Sequence, residues 1–160
     1  MKLFRSFALL LFFYSCNRSN VNKQIATLPY FIFENVSTSL KQNSAEISQG
    51  TPTIFMYFRP TCPRCRRETE QLVKNINQLK SVRVILVAAE SIADLRQYQV
   101  NYQLDKHSNI TVARDFQHAF YAIYKPDLLP FMAIYDSKQQ LVRIYEDEVS
   151  LSTITKALSL

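Results

Sequence analysis

The sequence predicts an α/β domain, a central mixed sheet flanked by helices, and three observations carry that prediction. Thr53–Phe58 and Val82–Ala89 are near-continuous apolar runs, as in strands covered on both faces. A helix follows each of them, the first read from the helical spacing of its apolar residues and the second from a start at Ser91-Ile-Ala-Asp94 that resembles a capping box. Phe131–Tyr135 and Leu141–Tyr145 are two more apolar runs, joined by a polar turn at Asp136-Ser-Lys-Gln139, which makes them a hairpin.

The chain of 160 residues fits one domain, and its 48% hydrophobic content is enough for a core. No internal repeat or second domain is visible. Gly50 is the only glycine, which excludes a glycine-rich phosphate loop. The net charge is +6, and two of the cations, Lys2 and Arg5, lie at the extreme N-terminus. The remaining Lys and Arg are scattered rather than gathered into a stripe, so nucleic-acid binding is not expected.

The elements follow in order. Residues 1–15 have a short basic start and an apolar run over Phe7–Phe13, too short for the ~20 residues of a membrane span, so they read as a signal peptide. Cys16 after Ser15 resembles a bacterial lipoprotein processing site, which implies lipidation of Cys16. The alternative is an ordinary secretory signal with Cys16 discarded or left as a third thiol. Residues 16–29 then form a lipidated Cys and a flexible polar tether, and the domain proper covers 30–160. Tyr30–Phe33 is the first strand, and the polar, Ser-rich stretch 35–50 reads as a loop. The strand Thr53–Phe58 leads through Arg59-Pro60-Thr61 into a helix from Pro63 to Leu79. Its stripe of Cys65, Thr69, Leu72, Val73, Ile76 and Leu79 defines the inward face. After the strand Val82–Ala89, Ser91-Ile-Ala-Asp94 resembles a capping box and opens a helix to about Gln103. Ile110–Ala113 is a short strand and Phe116–Tyr124 a helix, broken by Lys125-Pro126. The hairpin follows. Ser150 then caps a last helix with Leu151, Ile154 and Leu158 on one stripe.

Cys62-Pro63-Arg64-Cys65 sits where the central strand turns into its helix. Two thiols three residues apart at a helix start can close a small disulfide ring, and free backbone N–H groups there favour a thiolate. Cys62 precedes the first full turn, so it is the exposed, attacking thiol. Cys65 shares the buried stripe, so it is the resolving one. Arg59, Arg64, Arg66 and Arg67 surround the pair, and Arg64, inside the loop, is the one expected to act on the thiolate; the others serve solubility.

A strand, then C-x-x-C, then a Glu three residues on, resembles the thioredoxin superfamily. The resemblance covers roughly residues 30 to 160 and looks closest to extracytoplasmic oxidoreductases of the TlpA and ResA type. It implies a thioredoxin-like fold with an inserted strand–helix unit. It also implies thiol–disulfide exchange with cysteines of other exported proteins and an upstream redox partner. Glu68 then matches the helix Glu that works near the cysteines; otherwise it is an exposed helix Glu paired with an Arg. Pro130, at the start of a strand, becomes the cis-proline beside the motif, and Leu129 before it pairs with an extended substrate segment, joined in substrate binding by Pro63 and Arg64. Thr61 stands where the family has Trp, and Met56 where thioredoxin has a buried Asp, which puts thioredoxin-like proton handling in doubt. The redox direction stays open: a stabilised thiolate makes a disulfide oxidising, whereas proteins of this type act as reductants.

The resemblance implies a monomer at the cell envelope, held by a lipid and facing the periplasm, with no cofactor and no metal. A structural zinc site would need a second Cys pair, and haem attachment a His where Arg66 stands. The remaining alternative is a redox-inactive binding module on the same fold, or a copper carrier using Cys62, Cys65 and either His107 or His118.

Overall fold

Every residue of the central strand, Thr53–Tyr57, is buried. In this computed structural model, which describes residues 24–160, that strand lies inside a seven-stranded sheet. The expected signal peptide, residues 1–15, and Cys16 lie outside the described residues. The strands are β1 (Ile32–Asn35), β2 (Lys41–Asn43), β3 (Thr53–Tyr57), β4 (Arg83–Ala88), β5 (Ile110–Arg114), β6 (Phe131–Tyr135) and β7 (Leu141–Glu146). The helices are α1 (Pro63–Lys74), α2 (Ile92–Asn101), α3 (Ala119–Tyr124) and α4 (Leu151–Ala157). The sheet order is β2-β1-β5-β4-β3-β6-β7. β3, β4 and β5 run parallel, and the outer pairings are antiparallel. The α/β class and mixed sheet expected from the sequence are both present.

The pleat of β3 divides the core in two. Ile54 and Met56, with Phe58 beyond the strand end, pack under α1, α2 and α4 through Cys65, Leu72, Leu95 and Ile154. Phe55 and Tyr57 face the other way, into an aromatic layer with Phe31, Phe120, Phe131 and Tyr135. There the Tyr57 and Phe120 rings stack 5.3 Å apart. The Tyr124 hydroxyl donates to that of Tyr135 at 2.8 Å, which in turn donates to the Ile25 carbonyl at 3.0 Å.

Four boundaries differ from the sequence reading. β1 starts at Ile32, and Tyr30 is exposed. The expected loop 35–50 holds β2, a polar edge strand paired with β1, and a 3₁₀ turn at Ser44–Glu46. The first helix ends at Lys74, because Asn75 leaves helical geometry and its side chain donates to the Gln71 carbonyl at 2.8 Å; a 3₁₀ turn, Ile76–Leu79, completes the buried stripe. α3 begins at Ala119 rather than Phe116. The Asp115 carboxylate accepts from the N–H groups of Ala119 at 2.7 Å and Tyr121 at 3.2 Å and so starts the helix there. The end of the expected tether also packs on the domain. Ile25 is buried, and Ala26 and Leu28 hydrogen-bond to Leu141 and Gln139.

Candidate active site

β3 carries the chain to the site by continuing its pairing one residue past the strand, with Phe58 N–H donating to Val87 O at 3.0 Å. Arg59-Pro60-Thr61 then turns, and Cys62 N–H closes that turn on the Arg59 carbonyl at 3.0 Å. Cys62 is the N-cap of α1, with extended backbone angles, and Pro63 occupies the first helical position, where a missing N–H costs nothing. The Cys65 N–H donates to Cys62 Sγ at 3.4 Å. Both cysteines are free thiols, Cys62 half-buried and Cys65 fully buried. The helix stripe therefore separates the two thiols as expected from their spacing.

The electrostatics follow from that placement. Desolvation, the largest influence on Cys62, works against its thiolate. The Cys65 thiol, the N–H groups of Cys65 and Arg64, and the Arg64 guanidinium together outweigh it, so Cys62 is more acidic than an ordinary cysteine. Burial first, then the neighbouring Cys62, pushes the Cys65 thiol up to about 12. One thiol is thus poised to ionise and the other to stay protonated.

Across from the motif, the Leu129–Pro130 peptide bond is cis. The Cys62 thiol lies 3.9 Å from the Leu129 carbonyl oxygen. Leu129 and Thr61 also line a cleft of about 730 Å³ whose walls include Tyr57, Arg59, Glu90 and Tyr121. Cys62 is therefore partly exposed beside a groove, with the Leu129 carbonyl facing its thiol.

Glu68 is not the exposed helix residue that was one of its two readings. It is 1% exposed, makes no ion pair with an Arg among the described residues, and accepts the Val149 N–H at 3.0 Å. Burial raises its carboxyl to about 7, the Val149 hydrogen bond partly opposes that, and Glu148 adds to it. Neither cysteine figures among these influences.

The segment Asp147-Glu148-Val149, which links β7 to α4, was not singled out in the sequence. It binds α1 at three points: Arg64 Nη1 to Asp147 at 2.9 Å, Arg67 to both oxygens of Glu148 at 2.8 and 2.6 Å, and Glu68 to Val149 N–H. The Asp147 N–H also donates to the Pro130 carbonyl at 2.9 Å. The signal was there: two adjacent acids answer the two arginines that share one side of α1. A further pair missed in the sequence is Thr69 and Tyr98, whose hydroxyls meet at 2.8 Å behind Cys65.

His107 and His118 lie apart from each other, bordering different clefts. Among the described residues no three His, Cys, Asp or Glu side chains gather as a metal-holding group.

No protein-family model and no curated protein sequence matches this chain. Solved structures match its fold. A secreted Mycobacterium tuberculosis disulfide oxidoreductase, homologous to E. coli DsbE, is 17% identical with a TM-score of 0.67, covering 86% of this chain and 98% of its own. The pneumococcal exposed lipoprotein thioredoxin of Streptococcus pneumoniae is 18% identical with a TM-score of 0.62, covering 81% and 98%. StoA from Bacillus subtilis is 14% identical with a TM-score of 0.59, covering 82% and 98%. The chain has a thioredoxin-like fold.

Proposed function

We propose that this chain is a thiol–disulfide oxidoreductase that exchanges the Cys62–Cys65 dithiol with cysteines of other exported proteins. The observation that carries this is the split between the two thiols: Cys62 half-exposed and acidified at the start of α1, Cys65 buried and held protonated one turn in. In the reducing direction, the Cys62 thiolate attacks one sulfur of a partner disulfide. A mixed disulfide forms and the partner's other sulfur leaves as a thiolate. Cys65 gives up its proton, which neutralises the departing partner thiolate. Its sulfur then attacks Cys62, releasing the second partner sulfur and leaving a Cys62–Cys65 disulfide. Two electrons pass to the partner, and the reverse sequence oxidises a partner dithiol. Glu68, buried one turn along α1 from Cys65 with a carboxyl near 7 that exists in both forms at neutral pH, is the carboxylate proposed to work near the pair. Leu129, Pro130, Pro63 and Arg64 form the proposed surface for the extended partner segment. The test is partner trapping by Cys65→Ser, set against Cys62→Ser.

We place the protein at the cell envelope, lipidated at Cys16 and facing the periplasm, with a signal peptide in residues 1–15. The apolar run ending at Ser15-Cys16 supports this. So do two fold neighbours, described as a secreted protein and as an exposed lipoprotein. Among the described residues no helix is long and apolar enough to cross a membrane.

A further inference from the structure

We propose that Asp147 is a positioning residue that sets how strongly Arg64 favours the Cys62 thiolate, pinning the guanidinium at the first turn of α1 while offsetting its charge. The inference rests on the reading of Cys62 as the attacking thiol and adds a residue that tunes it.

Asp147 is fixed from several sides. Its backbone takes the left-handed conformation, φ 75°, and its N–H donates to Pro130 O at 2.9 Å, so it is tied to the start of β6 beside the site. Its Oδ1 accepts the Glu148 N–H at 2.9 Å, which orients the carboxylate. Its Oδ2 accepts from Arg64 Nη1 at 2.9 Å. Arg64 lies between the two cysteines, and its guanidinium and backbone N–H both favour negative charge on Cys62. Of the charged groups near the thiol, Arg59 lies on the turn before it, Arg66 donates to the Pro60 carbonyl at 2.7 Å and Glu68 is buried on Val149; the remaining four form two matched sets. Arg64 and Arg67 project from α1, and Asp147 and Glu148 answer them one to one from the segment after β7.

A guanidinium with a carboxylate at hydrogen-bond distance presents a dipole to Cys62 rather than a full charge. Arg64 and Asp147 are 42% and 40% exposed, so solvent weakens both contributions without removing them. Asp147→Asn separates the two roles. Asn tolerates the left-handed backbone, and with its single carbonyl oxygen turned to Arg64 it keeps that hydrogen bond and gives up the one from the Glu148 N–H, so the guanidinium stays in place while the opposing charge disappears. The Cys62 thiolate then gains.

The experiment measures iodoacetamide alkylation of Cys62 across pH in the reduced full-length protein. The Cys62 peptide is followed by mass spectrometry, so that Cys65 and Cys16 are read separately. Asp147→Asn should lower the titration midpoint and speed alkylation below it by about threefold, and Arg64→Gln should slow it by about the same factor. The double variant should return close to the wild-type midpoint. The Asp147→Asn disulfide should also be more readily reduced by glutathione, because its dithiol form is the one stabilised. A midpoint unchanged or raised in Asp147→Asn overturns the proposal. So does an unchanged midpoint in Arg64→Gln, a variant that leaves the Asp147 backbone ties intact. Alkylation reads the thiolate without any partner protein, so failure to trap partners would sink the oxidoreductase reading and leave this result standing.

Discussion

Burial holds the Glu68 carboxyl at about 7, against 4.5 in the open chain, and that difference is a statement about stability. The folded protein binds this proton more tightly than the unfolded chain does. Its favourable contribution is therefore fully present below the unfolded value and is lost as pH rises through about 7. The span is about 3 kcal/mol. Glu68→Gln keeps an acceptor for the Val149 N–H but removes the charge. Compared by urea denaturation, the variant should gain on the wild type by up to about 3 kcal/mol between about pH 5 and pH 8. Parallel stability curves would contradict the burial argument. The residue scale is also where the sequence was least informative. Cys65 and Leu72 were legible as buried because α1 repeats them on one stripe. Glu68 was not, because what covers it is Val149, 81 residues away in the chain. No local pattern reports that contact.

The elements were legible where apolar spacing decides them and illegible where a single polar side chain does. The core strands β3, β4 and β6 were plain from their apolar runs. β2 was hidden because Lys41-Gln42-Asn43 has no alternation and no apolar residue, and only its pairing with β1 makes it a strand. α3 was placed three residues too early because Phe116 fits its spacing, whereas the buried Asp115 carboxylate fixes its true start. That gives a prediction at this scale. Asp115→Ala leaves two helix N–H groups without their acceptor and should cost about 1–2 kcal/mol. Hydrogen exchange should speed at Ala119 and Tyr121 well before the rest of the sheet opens. Protection unchanged at those two amides would show that packing of Phe120 in the aromatic layer, not the cap, holds α3.

At the scale of the whole molecule, the fold brings three distant segments to one point: the strand–helix turn with both thiols, the Leu129–Pro130 corner, and Asp147-Glu148-Val149. The first two were readable as a motif and its resemblance, and the third only from the folded chain. Proposed attachment belongs to this scale as well. Cys16→Ser should move the protein from the membrane fraction to the soluble one. A mature chain that mass spectrometry finds starting elsewhere than Cys16 would end the lipoprotein reading. The central claim is that Cys62 attacks and Cys65 resolves, and partner trapping in cells tests it most directly. Cys65→Ser leaves the accessible thiolate but removes the buried thiol that would expel a bound partner, so mixed disulfides should accumulate as larger species on a non-reducing gel and vanish with reductant. Cys62→Ser should form none. Equal trapping by both variants would contradict the division of roles, and trapping by neither would contradict the oxidoreductase reading itself.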